Sequence, residues 1–227
     1  MKKIYLSIVL LMCVTVGFAQ PFVRFGFQAG VNFADIKFSG NEEFVDDEDD
    51  QKMTTSFQVG ALADIMFSDR FSIQPEVKLS GKGTKFSYEG SQGGESWEGT
   101  QKINIMYVEV PVNAVFKFNS LYLGAGPYAA FAVSGKTKWE ETYTFDEGGE
   151  TVTETESESE DLNFGSEDDD DFKSTDFGVN FVAGYQMGMG LGIGVNYGLG
   201  LSNILPGTND DYKGKNNVIS ISLRYLL

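Results

Sequence analysis

The sequence predicts an all-β chain closed into an eight-stranded antiparallel transmembrane β-barrel. Three observations carry that prediction. Apolar residues alternate with polar residues or glycine over many stretches, the period of strands with two unlike faces. Short turns at Ser68-Asp69-Arg70, Asn119-Ser120 and Met187 to Gly190 interleave with long polar connections at about 39–52, 89–101, 139–172 and 205–215. An even strand count with one tightly turned end and one long-looped end is how a barrel sits in an outer membrane, short turns in the periplasm and long loops outside.

The chain opens with Lys2 and Lys3, an apolar run from Ile4 to Val16, and Gly17-Phe18-Ala19 before Gln20. That three-part layout predicts a cleaved signal peptide over residues 1–19, leaving 20–227 as a single barrel domain. The apolar run is shorter than the roughly 20 residues that a spanning helix needs, and no later segment approaches that length, so any insertion must use strands. The one cysteine, Cys13, falls in the expected signal, which leaves a mature chain without disulfides or thiol chemistry.

The first strand is read in Phe25 to Phe33, the second in Phe57 to Phe67 and the third in Phe71 to Leu79. The fourth, about 103–118, sets Tyr107, Glu109, Asn113 and Lys117 against Val108, Val110, Val112 and Phe116. Leu121 to Ala125 and Phe177 to Phe181 mark the fifth and sixth. The seventh is the clearest: Leu191, Ile193, Val195, Tyr197, Leu199 and Leu201 alternate with Gly192, Gly194, Asn196, Gly198, Gly200 and Ser202. Ile219 to Tyr225 is the last. Strands of about 12–17 residues exceed the roughly 9–11 needed to cross, and the excess is expected to project as a collar below the loops.

Alternation does not say which face is outside. A soluble lipocalin-like carrier would turn the apolar face in. The glycines favour the membrane, because exposing Gly192, Gly194, Gly198 and Gly200 to water would forfeit strand propensity for no packing gain. An eight-stranded lumen is just wide enough for side chains, so small residues there make room for bulky ones. The apolar face is also free of charge, as lipid requires.

Net charge is −16, and −18 once Lys2 and Lys3 are removed. Connection 39–52 holds seven acids and 139–172 holds fifteen with no lysine or arginine, so the acidity is on two loops and the barrel proper is slightly positive. The runs Asp46-Asp47-Glu48-Asp49-Asp50 and Glu167 to Asp171 read first as solvated, disordered loops. Asp46, Asp47, Asp49, Asp168, Asp169 and Asp170 are the candidates for weak divalent-cation binding, although neither run has EF-hand spacing.

The inward face predicts Arg24, Gln28, Asn32, Gln58, Asp64, Gln74, Glu76, Lys78, Glu109, Asn113, Lys117, Asn180, Gln186, Asn196 and Arg224 in the lumen. Glu76 and Glu109 could serve as an acid/base pair only if their pKa values were pushed apart. With Arg24, Lys78, Lys117 and Arg224 nearby, a buried ion-pair and hydrogen-bond network is the expected role. The chain has no histidine, which removes the commonest general base and transition-metal ligand. No catalytic residue, metal centre or cofactor is expected. The alternating glycines from Gly188 to Gly194 lack the lysine of a phosphate loop, and no nucleic-acid partner is expected, because the acidic loops repel phosphate.

Several segments resemble a known family. Gly26 to Phe33, Ile73-Gln74-Pro75-Glu76-Val77 with Gly81-Lys82-Gly83, Tyr107-Val108-Glu109-Val110-Pro111 and Gly124-Ala125-Gly126-Pro127-Tyr128 look like the PorT-type outer-membrane β-barrel proteins of Bacteroidetes. The likeness extends through Phe177-Gly178, Asn196 to Leu199 and the last strand. It implies an OmpA-like eight-stranded barrel, delivered by the barrel-insertion machinery, although the chain ends on Leu227 where a terminal aromatic is usual. The namesake's role makes a protein-secretion component one expectation. The first expectation is a monomeric, non-enzymatic outer-membrane protein whose acidic loops meet cations, protein partners or lipopolysaccharide.

Overall fold

A computed structural model describes residues 22–40, 50–148, 150–167, 169–207 and 212–227. The expected signal peptide and the acidic run at 46–49 lie outside the described residues.

Among the described residues ten strands form one antiparallel sheet. They are β1 (Phe22–Ser39), β2 (Asp50–Lys52), β3 (Thr54–Ser68), β4 (Phe71–Gln92), β5 (Glu95–Phe118), β6 (Leu121–Glu147), β7 (Glu150–Asp161), β8 (Thr175–Gln186), β9 (Leu191–Gly200) and β10 (Lys213–Leu226). Eight close a ring in the order β1-β3-β4-β5-β6-β8-β9-β10, with β10 returning to β1. Closure leaves no unpaired edge within the ring, which is what hydrocarbon demands of a sheet. No helix among the described residues is long and apolar enough to cross a membrane.

The sidedness follows the alternation. Val195 is 49% exposed while its neighbour Asn196 is 7% exposed, and the same division runs around the ring. Phe25, Phe27, Val77, Leu123, Phe181, Ile221 and Leu223 face outward, whereas Asn32, Gln58, Gln74, Asn113, Asn180 and Ser220 face in. The inward glycines make the expected room: a Cβ at Gly184 or Gly194 would collide with the Tyr122 hydroxyl.

Strand length departs from expectation. Segments 89–101 and 139–172 are not simple loops. Strands β4 and β5 continue to a two-residue turn at Gly93-Gly94, where both residues have positive φ (67° and 96°), a conformation that glycine adopts without a Cβ penalty. Strand β6 runs 27 residues and folds back on β7, whereas β8 and β9 have 12 and 10, about enough to cross. The projection is therefore a one-sided sheet of β2, β4, β5, β6 and β7 rather than an even collar. It stayed hidden because both faces of its outer part are wet, so no apolar period marks it.

Candidate functional site

Asp64 organises the lumen near the short-turn end. Its carboxylate takes Arg24 at 2.8 Å and Lys117 at 2.7 Å, and accepts from the Gln74 amide at 2.9 Å. Gln74 in turn accepts from Arg224 at 3.2 Å, whose guanidinium lies 4.5 Å from the centre of the Tyr122 ring, within cation–π range. Strands β1, β3, β4, β5, β6 and β10 thus meet through one cluster. A cavity of about 190 Å³ opens beside it, lined in part by Arg24, Lys117 and Arg224.

A second cluster lies further along the axis. Glu109 is held by Lys78 at 3.0 Å and Lys82 at 2.7 Å, and Lys82 continues to Asp176 at 2.9 Å. Asp176 also accepts from Asn216 at 3.0 Å, Tyr128 at 3.2 Å and Ser202 at 3.3 Å. The Lys82 ammonium sits over the Tyr128 ring, 4.3 Å from its centre. Glu76 accepts from Gln28. Buried charge is costly unless paired and hydrogen-bonded, and Glu109 and Asp176 meet that condition fully.

Above the charges the lumen turns apolar. Ile36, Ile103, Ile105, Tyr107, Tyr128 and Ala130 pack against Phe172 and Ile204, which the long-loop connections fold back over the opening.

Of the six residues predicted for the lumen network, Lys78 and Glu109 pair with each other. Arg24 and Lys117 go to Asp64 instead, Arg224 to Gln74 and Tyr122, and Glu76 to Gln28. Gln186, the last residue of β8, lines the cavity beside the Asp64 cluster and donates to the Gly190 and Leu191 carbonyls. Lys82 and Asp176 were not singled out by sequence. Lys82 keeps the even register of Gln74, Glu76 and Lys78, and Asp176 that of Asn180, so extending each strand by a few residues finds both.

The projecting sheet carries aromatics on the face continuous with the lumen. Trp97 pairs with Gly90 and Tyr143, and Tyr88 pairs with Gly99. The Trp97 ring covers Gly90 and the Tyr88 ring covers Gly99 so closely that neither glycine could carry a Cβ, an arrangement that restores strand packing where glycine supplies none. Glu141 accepts from Tyr143 at 2.6 Å and from Tyr88. The two hydroxyls, Tyr143 first, hold the Glu141 carboxyl below its ordinary range, and the same bond raises the Tyr143 phenol. Strand β7 adds Glu154, Glu156, Glu158 and Glu160 to this face, while Thr153 and Thr155 meet Thr144 and Thr142 on the other.

Of the candidate cation ligands, Asp46, Asp47, Asp49 and Asp168 lie outside the described residues. Asp170 accepts from the Glu167 amide at 2.8 Å, and Asp169 is exposed. No group of three or more potential ligands converges among the described residues.

The family model for the outer membrane protein beta-barrel domain matches residues 18–206. The chain belongs to that family. Its members' shared location, the outer membrane, agrees with the lipid-facing ring. No curated protein matches the barrel in sequence. Among solved structures it is similar to Ail, the attachment invasion locus protein of Yersinia pestis, at 13% identity and TM-score 0.36, over 89% of this chain and 98% of that one. Neisserial surface protein A matches at 14% identity and TM-score 0.32, over 88% and 96%. The outer membrane protease OmpT of Escherichia coli matches at 7% and 0.35, over 92% and 98%.

Proposed function

We propose that this barrel is a non-enzymatic display protein: its membrane part is a sealed anchor, and its working surface is the one-sided acidic sheet outside the cell. The observation that carries the reading is the contrast between the two regions. Lumen charges are met by one another, by buried amides or by an aromatic ring beneath an apolar seal, which argues against both a pore and an acid/base site. Glu109 lies between two ammonium groups, and the residues closing the lumen above it are buried. The hairpins β4–β5 and β6–β7, by contrast, offer aromatic and carboxylate side chains to solvent. Short turns and both described chain ends share the opposite end, which supports the periplasmic assignment of that end.

The test is to replace residues 138–161 by a short turn and compare the two proteins in cells. The shortened chain should still insert and show heat-modifiable migration while losing surface binding to matrix proteins, neighbouring cells or divalent cations. Planar-bilayer conductance and hydrolase screens should be flat for both. Binding that survives the deletion would refute the display reading. Loss of secreted cargo in a deletion strain would favour the secretion role that the PorT resemblance suggests.

A further inference from the structure

Four lysines stand in register on four adjacent strands. Lys52 on β2 pairs with Lys85 on β4, Lys85 with Lys102 on β5, and Lys102 with Lys138 on β6. Cross-strand partners share a face and have Cβ atoms about 4.5–5.5 Å apart, and like charges so placed repel. Lys85, Lys102 and Lys138 form no ion pair among the described residues. The nearest acids on this outward face are Asp161, taken by Lys136 at 2.9 Å, Glu140, one pair above Lys138, and Asp50, whose partner Ser87 is one pair above Lys85. Across the ring, Lys37 on β1 is paired with Lys215 on β10.

These lysines stand above the outward apolar band. On β4 Lys85 comes six residues beyond Leu79, and on β1, β5 and β10 the spacing from the last outward apolar side chain is four: Phe33 to Lys37, Met106 to Lys102, and Ile219 to Lys215. At roughly 3.3 Å per residue and a tilt of about 40° that is on the order of 10 Å of height. A lysine side chain leans back over part of that distance, toward the headgroup layer. Outside the expected signal and the lumen the chain has nine lysines, and all nine lie toward the long-loop end.

We propose that this row is a binding site for the phosphate groups of an outer-leaflet glycolipid. The row stands over the lipid-facing band at headgroup height, where the anions within reach are headgroup phosphates, and each supplies several acceptor oxygens to more than one ammonium. A bound headgroup turns the mutual repulsion of Lys85, Lys102 and Lys138 into attraction. This inference rests on the reading that the long-loop end faces outward, which protease added to intact cells tests separately by cutting the β6–β7 hairpin.

Native mass spectrometry of the full mature barrel in zwitterionic detergent supplies the test, with three probes: bis-phosphorylated lipid A, its dephosphorylated form, and inorganic phosphate. The wild type should retain lipid A and not the dephosphorylated lipid. At about fivefold per lysine near an anionic surface, K85Q/K102Q/K138Q should lose on the order of 100-fold in affinity, and K85R/K102R/K138R should keep it. Should the triple variant not fold, K102Q alone should show the fivefold loss. Undiminished binding by the glutamine variants overturns the site, as does equal retention of dephosphorylated lipid. Inorganic phosphate that competes as well as lipid A, mole for mole, overturns the lipid source.

Discussion

Lys82 donates to Asp176 at 2.9 Å from a position 94 residues earlier in the chain, and that contact ties β4 to β8 across the lumen. The two strands are not neighbours in the ring. The lumen therefore braces the barrel as well as filling it.

Lys82→Met leaves Asp176 without its cation and Glu109 with only Lys78. Breaking a buried pair from one side costs about 3–5 kcal/mol, which urea unfolding of the refolded barrel in vesicles will measure. Adding Asp176→Asn removes the stranded charge, so the double variant should cost less than the sum of the singles. Strict additivity would show that the two side chains do not interact.

At the Asp64 cluster the order of effects is fixed by burial. Asp64 is fully buried, Lys117 is 16% exposed and Arg24 28%. Asp64→Asn should destabilise most, Lys117→Met less and Arg24→Met least, since exposed charges are partly solvated without a partner. Equilibrium unfolding of the three variants checks the ranking, and the reverse order would contradict it.

Cysteine substitution gives a direct reading of sidedness, because the one native cysteine, Cys13, precedes the barrel. A bimane label at Val195 should be quenched by nitroxide on the lipid acyl chains, and one at Asn196 should not. The opposite result would invert every inside and outside assignment made above.

Both tryptophans, Trp97 and Trp139, lie in the projecting sheet, so intrinsic fluorescence follows that sheet alone. Gly90→Val places a side chain where the Trp97 ring lies. It should shift the emission and open the hairpin to protease while leaving heat-modifiable migration unchanged. A parallel loss of migration would show that the sheet and the ring fold as one unit.

The Glu141 carboxyl gives the sheet an acid limb. Its folded-state pKa is lowered, so its contribution is complete above the ordinary carboxylate range and is lost as pH falls through the lowered value. Tryptophan emission should change over that window in the wild type and stay flat there in Glu141→Gln. An unchanged titration in the variant would remove Glu141 as the cause.

The parts of this fold legible in the sequence are those where one strand face meets lipid. Leu191 to Leu199 could be assigned residue by residue because its outward apolar face and inward glycine face differ so sharply. Legibility fails once the strands leave the bilayer. Ile36, Ile103 and Ile105 are apolar and inward, the reverse of the rule that serves lower down, because loops cover the lumen there. Strand β7 is glutamate, threonine and serine with hardly an apolar residue, so nothing in its composition distinguishes it from a solvated loop; its order comes from pairing with β6. Asp176 precedes by one residue the alternation from Phe177 to Phe181 that marks the sixth predicted strand.

The outer margin of β7 pairs with no other strand among the described residues. A bare margin invites a second molecule to dock alongside and extend the sheet, the first step toward fibres. Here any incoming copy of the same margin would bring Glu154, Glu156, Glu158 and Glu160 against their own kind. In a crowded membrane, where neighbours are held at high local concentration and in one orientation, that mutual repulsion works against strand-to-strand annealing through this margin.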